Sequence, residues 1–355
     1  MNEAVLSVSD LQTHLHTDDG IVRAVDGLSF EVDRNETVCL VGESGSGKTM
    51  ACNTITGMVG PPAEINGEVR FDGQDLLGLS ESELTSVRGN RIAYLFQNAQ
   101  NALDPVYTIG DQIAEAITFH QDTSSEQARE RAVELLATVG LSRPAERVDE
   151  YPHELSDGMC QRVAIAIALA AEPDLLIADE PVSALDVMIQ GRIIDLLDDL
   201  REKREFSLVL VTHDLRVVAS LADRIVVLYG GTDVERGAAT DVLQTPAHPY
   251  SQDLFESFTG DGESEDSLAS RDPIPPQGCR FHRECRHAVD DCRASKPPFA
   301  AVDGNESHRA ACVYYGTERD PGELLFNARH VGAAFDSADE PPGQTAETDG
   351  GDRDE

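Results

Sequence analysis

The junction between Thr37-Val-Cys-Leu-Val41 and Gly42-Glu-Ser-Gly-Ser-Gly47-Lys48-Thr49 constrains the fold more than any other stretch of the chain. An apolar run of β-formers passes without a break into a loop matching G-x-x-x-x-G-K-[ST], and a helical pattern follows. Strand, glycine-rich loop and helix in that order make a phosphate-binding turn. Gly42, Gly45 and Gly47 let the loop amides, those of Ser44 and Ser46 among them, turn inward onto phosphate, and the helix start adds its positive dipole end. In such a loop Lys48 reaches the β- and γ-phosphates of ATP, and Thr49 puts its hydroxyl on Mg2+. The plain alternative is a chance glycine-rich turn, which a position between strand and helix argues against.

Around this turn the pattern alternates strand and helix. Runs of β-formers at 5–8, 22–32 and 69–71 flank the first motif. From 97 to 152 the pattern is helical, with Ala132, Leu135, Leu136 and Val139 on one face of a helix over 127–139. Helix 158–171, strand 175–178, helix 190–200, strand 208–211 and strand 224–228 come next. This predicts an α/β P-loop NTPase core with a mainly parallel sheet, an antiparallel β subdomain, and an inserted helical subdomain over about 98–165. The core domain is expected over 1–259. A polar, acidic linker at 260–273 precedes a small cysteine-bearing C-terminal extension at 274–325, and 336–355 reads as an acidic disordered tail.

Charge narrows the function classes. With 28 Lys+Arg against 65 Asp+Glu, the formal charge is -37. Such a surface repels nucleic acid, which needs a basic stripe. It also suits concentrated salt, where screening collapses the self-repulsion, so a halophilic source is one reading and an ordinary acidic protein the other. No secretory signal is visible at the N-terminus, and no apolar run approaches the ~20 residues that span a bilayer. The chain is therefore expected to be soluble by itself, with any membrane role supplied by partners.

Two further strands deliver chemistry at their carboxyl ends. Leu175-Leu-Ile-Ala178 leads to Asp179 and Glu180, where one acid holds magnesium and the second polarises an attacking water. Asp179 fits the metal role and Glu180 the general base. Leu208-Val-Leu-Val-Thr212 ends in His213, whose imidazole is placed to bond a γ-phosphate and orient the water.

With these residues in place, Leu155-Ser-Asp-Gly-Met159, followed by Gln161 and Arg162, resembles the signature motif of ABC ATPases. Ser183-Ala-Leu-Asp186 resembles their D-loop, and Gln97 their Q-loop glutamine. The resemblance covers about residues 4–245. It implies a head-to-tail dimer in which each ATP lies between one subunit's phosphate loop and the signature (Leu155, Ser156, Asp157, Gly158, Met159) and Asp186 of the other. It also implies that Gln97 contacts magnesium and reports to membrane subunits. Two departures stand out. Asp157 replaces a glycine, which sets a carboxylate near the partner's γ-phosphate unless it turns to solvent. The adenine-stacking aromatic expected near residue 19 is missing, and the planar guanidinium of Arg23 is a candidate replacement.

Tyr151-Pro-His-Glu-Leu155, the stretch after Gln97, and Thr245-Pro-Ala-His-Pro-Tyr250 together resemble the oligopeptide and dipeptide importer ATPases; nickel and oligosaccharide importers share these features. The resemblance implies a second ATPase subunit, two transmembrane permeases, an extracellular solute-binding protein, and a peripheral place on the cytoplasmic face of the cell membrane. A soluble ABC ATPase of repair or translation is the competing class, disfavoured by a single cassette, no heptad run and the negative charge. Cys279, Cys285, Cys292 and Cys312 lack the C-x-x-C pairs usual in zinc ribbons. Their spacing suits a [4Fe-4S] cluster, which similar extensions carry, with Zn2+ or unliganded structural cysteines as alternatives. Cys39, Cys52 and Cys160 read as small buried hydrophobes.

Overall fold

The computed structural model describes residues 4–259 apart from 19 and 184, and 274–324 apart from 318 and 323. The 260–273 linker and the 336–355 tail expected from sequence lie outside the described residues.

Among the described residues, twelve strands form two sheets. β1 (Ala4–Thr17), β2 (Gly20–Asp33), β4 (Ala63–Phe71) and β5 (Gln74–Asp75) make an antiparallel sheet in the order β2-β1-β4-β5. The second sheet runs β11-β12-β10-β9-β3-β8-β7-β6. Its parallel part comprises β3 (Thr37–Val41), β6 (Ile92–Leu95), β7 (Leu175–Asp179), β8 (Ser207–Thr212) and β9 (Arg224–Tyr229). β10 (Thr232–Ala238), β11 (Ala300–Val302) and β12 (Asn305–Ala310) extend it in antiparallel fashion.

The parallel strands are apolar on both faces because both faces are covered. Along β3, Val38 and Leu40 enter a core shared with the antiparallel sheet. Cys39 and Val41 enter a core shared with the helices at 99–170. β8 repeats this alternation, with Val209 and Val211 on one side and Leu208 and Leu210 on the other. Cys52 and Cys160 are fully buried, as their isolation in core elements predicted.

The helical segment holds the helices Ala99–Ala102, Ile109–His120, Ser125–Thr138 and Pro144–Arg147, then Asp157–Ala168. Ser124 starts the third with a capping box to Gln127, and Ala128, Ala132, Leu135 and Leu136 form its buried face. Helix Val187–Arg204 begins at Asp186, whose carboxylate accepts the amides of Met188 and Ile189. The cysteine-bearing segment is joined to the large sheet: β12 pairs with β10 through Glu235 with Ala310 and Arg236 with Arg309. Beneath this joint, fully buried Glu235 accepts the amides of Ala247 and His248 and bonds His308 Nε2 at 2.7 Å.

Candidate functional site

Three neighbouring parallel strands, β3, β8 and β7, end at Gly42, His213 and Glu180, so the sheet order itself brings the sequence motifs together. They surround a cavity of about 690 Å³ lined by Ser44, Gly45, Gly47, Lys48, Thr49, Gln97 and Glu180, among others.

The loop closes only with glycine at its two tightest points. A Cβ on Gly42 would lie 2.3 Å from the Leu228 carbonyl oxygen, and one on Gly47 2.3 Å from that of Ala24, both at positive φ. Lys48 is buried, and its ammonium donates to the carbonyls of Gly42 at 2.6 Å and Glu43 at 2.7 Å and to Ser46 Oγ at 3.3 Å. Burial lowers its pKa, opposed by the carboxylates of Glu180 and Asp179. The nucleotide cavity is thus furnished with a cation already aimed by its own loop.

At the end of β7, buried Asp179 accepts Thr49 Oγ1 and Tyr94 OH, each at 3.1 Å. Burial raises its pKa, and the two hydroxyls oppose that shift. Glu180 follows with φ 46°, a left-handed conformation costing a non-glycine residue about 1 kcal/mol, and its amide donates to the Val211 carbonyl at 2.9 Å. The turn sends its carboxylate to two partners: Gln97 Nε2 donates to one oxygen at 2.9 Å, and His213 Nδ1 bonds the other at 3.2 Å. The His213 bond is the largest cause holding the Glu180 pKa below the ordinary range, with Lys48 acting in the same sense.

Lys48, Thr49, Asp179, Glu180, His213 and Gln97 therefore form one hydrogen-bonded group or line one cavity. The signature residues do not join it. Leu155, Ser156, Asp157, Gly158, Met159 and Asp186 are absent from the cavity lining. Ser156 and Asp157 are exposed where helix Asp157–Ala168 begins, and the Asp157 carboxylate accepts a bond from Gln100 Nε2. Gly158 packs tightly, since a Cβ there would meet Ile189 Cγ2 at 2.8 Å.

A profile of the ABC transporter family matches residues 25–183, and one of the oligopeptide/dipeptide transporter C-terminal region matches 234–292. The dipeptide transport ATP-binding protein DppD of Escherichia coli is 43% identical over 312 residues, 86% of this chain and 95% of that protein. The oligopeptide transport ATP-binding protein AppD of Bacillus subtilis is 42% identical over 322 residues, 88% of this chain and 98% of that protein. The chain belongs to the ATP-binding subunits of oligopeptide and dipeptide ABC transporters. A dimeric ATP-binding cassette solved in a post-hydrolysis state with ADP and Pi matches this ABC ATPase with TM-score 0.60 at 30% identity, covering 66% of this chain and 98% of that one. No helix among the described residues is long and apolar enough to cross a membrane.

Several residues of this ABC ATPase were not singled out from sequence. Tyr94 holds Asp179, and its position in a short apolar strand carried no signal. Buried Tyr250, noted only as part of a family motif, accepts the Glu43 amide at 3.0 Å and packs on Tyr229 and Phe281. Arg23 lines the cavity, and its guanidinium is engaged: Nη1 donates to the Pro276 carbonyl at 3.2 Å. The expectation of a metal at the four cysteines finds no support among the described residues. Cys279, Cys285, Cys292 and Cys312 line one small cavity with His248, His282 and His287. Yet no group of three or more His, Cys, Asp or Glu side chains among the described residues is disposed to hold a single metal ion. Burial pushes Cys279 up to about 11 and Cys285 and Cys312 to about 12.

Proposed function

We propose that this ABC ATPase hydrolyses ATP with Glu180 as general base and thereby powers import of peptides across the cytoplasmic membrane. The observation carrying this reading is the Glu180 carboxylate, held ionised beside the Lys48 cavity by Gln97 and His213. An ionised carboxylate there takes a proton from water as the water attacks the γ-phosphate. His213 orients that water, Lys48 binds the β- and γ-phosphates, and the amides of residues 44–49 cradle them. Thr49 and Asp179 offer a hydroxyl and a carboxylate 3.1 Å apart, the hard oxygen donors that suit Mg2+. Bound there with the nucleotide, the ion neutralises phosphate charge.

A second ATPase subunit completes the site. Ser156, exposed at the start of helix Asp157–Ala168, would meet the partner's γ-phosphate together with Gly158, buried just behind it, and with Asp186 at the start of the next long helix. Two permeases, contacted near Gln97, and an external solute-binding protein complete the transporter, with this subunit on the cytoplasmic face of the membrane. The names of the relatives support peptides over nickel or oligosaccharides as the cargo. Glu180→Gln should bind ATP with unchanged affinity, hydrolyse it only at a residual rate, and accumulate as an ATP-bound dimer on gel filtration. Near-normal phosphate release would remove Glu180 from this role.

A second reading concerns the extension, which we assign a [4Fe-4S] cluster held by Cys279, Cys285, Cys292 and Cys312. Four thiols around one cavity support it. Anaerobically purified protein should absorb at about 400 nm. Colourless protein with stoichiometric zinc would overturn the assignment.

A further inference from the structure

The nucleotide cavity has a wall that its phosphate chemistry leaves unexplained. Beyond the phosphate loop its lining includes Ile21 and Val22 on β2 and Ile274 and Pro276 of the C-terminal extension. Ile21, Val22 and Ile274 are 57%, 52% and 39% exposed, unusual for large aliphatics. Scattered singly they would need no explanation; three around one cavity mark a place for an apolar surface.

The floor between them is bare. Gly230 and Gly231 line the cavity, and a Cβ on Gly230 would come within 2.9 Å of Ile274 Cγ2. The extension is fastened at this point from three directions. Arg23 donates to the Pro276 carbonyl, nearly buried Arg280 pairs with Asp26, and Lys296 Nζ reaches the Gly27 carbonyl at 3.3 Å. Asp26 is held in turn by His14 Nε2 at 2.8 Å. Both aliphatic faces are thus set by ion pairs and backbone bonds that tie β2 to residues 274–296.

We propose that the purine ring of ATP lies between these faces, with Ile21 and Val22 on one side and Ile274 and Pro276 on the other, so that the C-terminal extension is a positioning element for the nucleotide. The inference rests on the ATPase reading, because the phosphates must occupy the Lys48 loop for the base to fall here. A purine ring is flat and largely apolar, and its burial between aliphatic side chains replaces the stacking on an aromatic ring that this chain lacks. Arg23 serves the base indirectly by holding Pro276.

The test separates base from phosphate. Binding of Mg-ATP and of Mg-tripolyphosphate, which has no base, is measured by titration calorimetry on the full chain. Val22→Ser and Ile274→Ser should each weaken ATP by about tenfold, the loss of one aliphatic face, while tripolyphosphate binding changes by less than about twofold. Ile274→Phe should keep ATP affinity by offering a flat ring in the same place. Unchanged ATP affinity in Ile274→Ser, or equal loss of both ligands, overturns the proposal. Wild-type protein that binds neither ligand defeats the ATPase reading itself, an outcome distinct from wild-type binding with insensitive variants.

Discussion

The two halves of the ATP machinery in this chain differ in how complete they are. The phosphate-loop half is assembled: Lys48 is held by three oxygens, Asp179 by two hydroxyls, and Glu180 by Gln97 and His213. The signature half lies at a helix start, outside that cavity, with Ser156 and Asp157 exposed. Parallel strands of one sheet can bring their ends together without help, so the first half forms within a single subunit. The second half lies at a helix start, and on the proposed reading its ligand comes from another subunit. Preorganised groups act most strongly where they need no rearrangement, which predicts large effects in the first half and small ones in the second.

The largest effect is expected at Glu180. Loss of a positioned base should lower kcat by about 10³-fold in Glu180→Gln, measured as phosphate release at saturating ATP; a fall under tenfold would break the comparison. Lys48→Ala should instead act on binding, raising the Kd for ATP by about 100-fold, because a buried charge-assisted contact to phosphate is lost. His213→Ala sharpens the picture through pH. The His213 bond is the main cause of the depressed Glu180 pKa. Its removal therefore moves that pKa up, and the acid limb of the kcat profile should shift to higher pH. A stationary limb would show that His213 does not tune the base.

The smallest effect is expected at Asp157. Its carboxylate sits in the first turn of helix Asp157–Ala168, where the dipole favours a negative charge, and takes a bond from Gln100. Asp157→Gly should cost about 0.5–1 kcal/mol of stability by urea unfolding, through lost dipole interaction and added backbone freedom. ATPase activity should change by less than about threefold at any salt concentration. A large activation at low salt would instead place the carboxylate against the partner's phosphate.

The chemistry-bearing strands were legible because their neighbours are local. The apolar runs before Gly42, Asp179 and His213 fall on β3, β7 and β8 within a residue or two, since strands buried on both faces carry dense Val, Leu and Ile. Helix 190–200 was read three residues short of its start at Val187, because Asp186 was read for its family role and also caps this helix. What stayed dark is long-range. β12, Asn-Glu-Ser-His-Arg-Ala, has three exposed polar residues at its start and no apolar alternation, so nothing local marks it as part of an eight-stranded sheet. The bond between Tyr250 and Glu43 joins residues 207 apart in sequence, and that from Arg23 to Pro276 joins residues 253 apart. Contacts of that span depend on the whole topology, which periodicity does not encode.

The pairing of β12 on β10 also governs how the protein can be cut. Ending the chain before the extension, at a boundary that its composition invites, would strip β10 of its neighbour and leave Glu235 without His308. The uncovered backbone would be an open edge, ready to recruit a strand from another molecule. A cassette trimmed in this way should aggregate on expression, whereas one that keeps β11 and β12 retains its own cap.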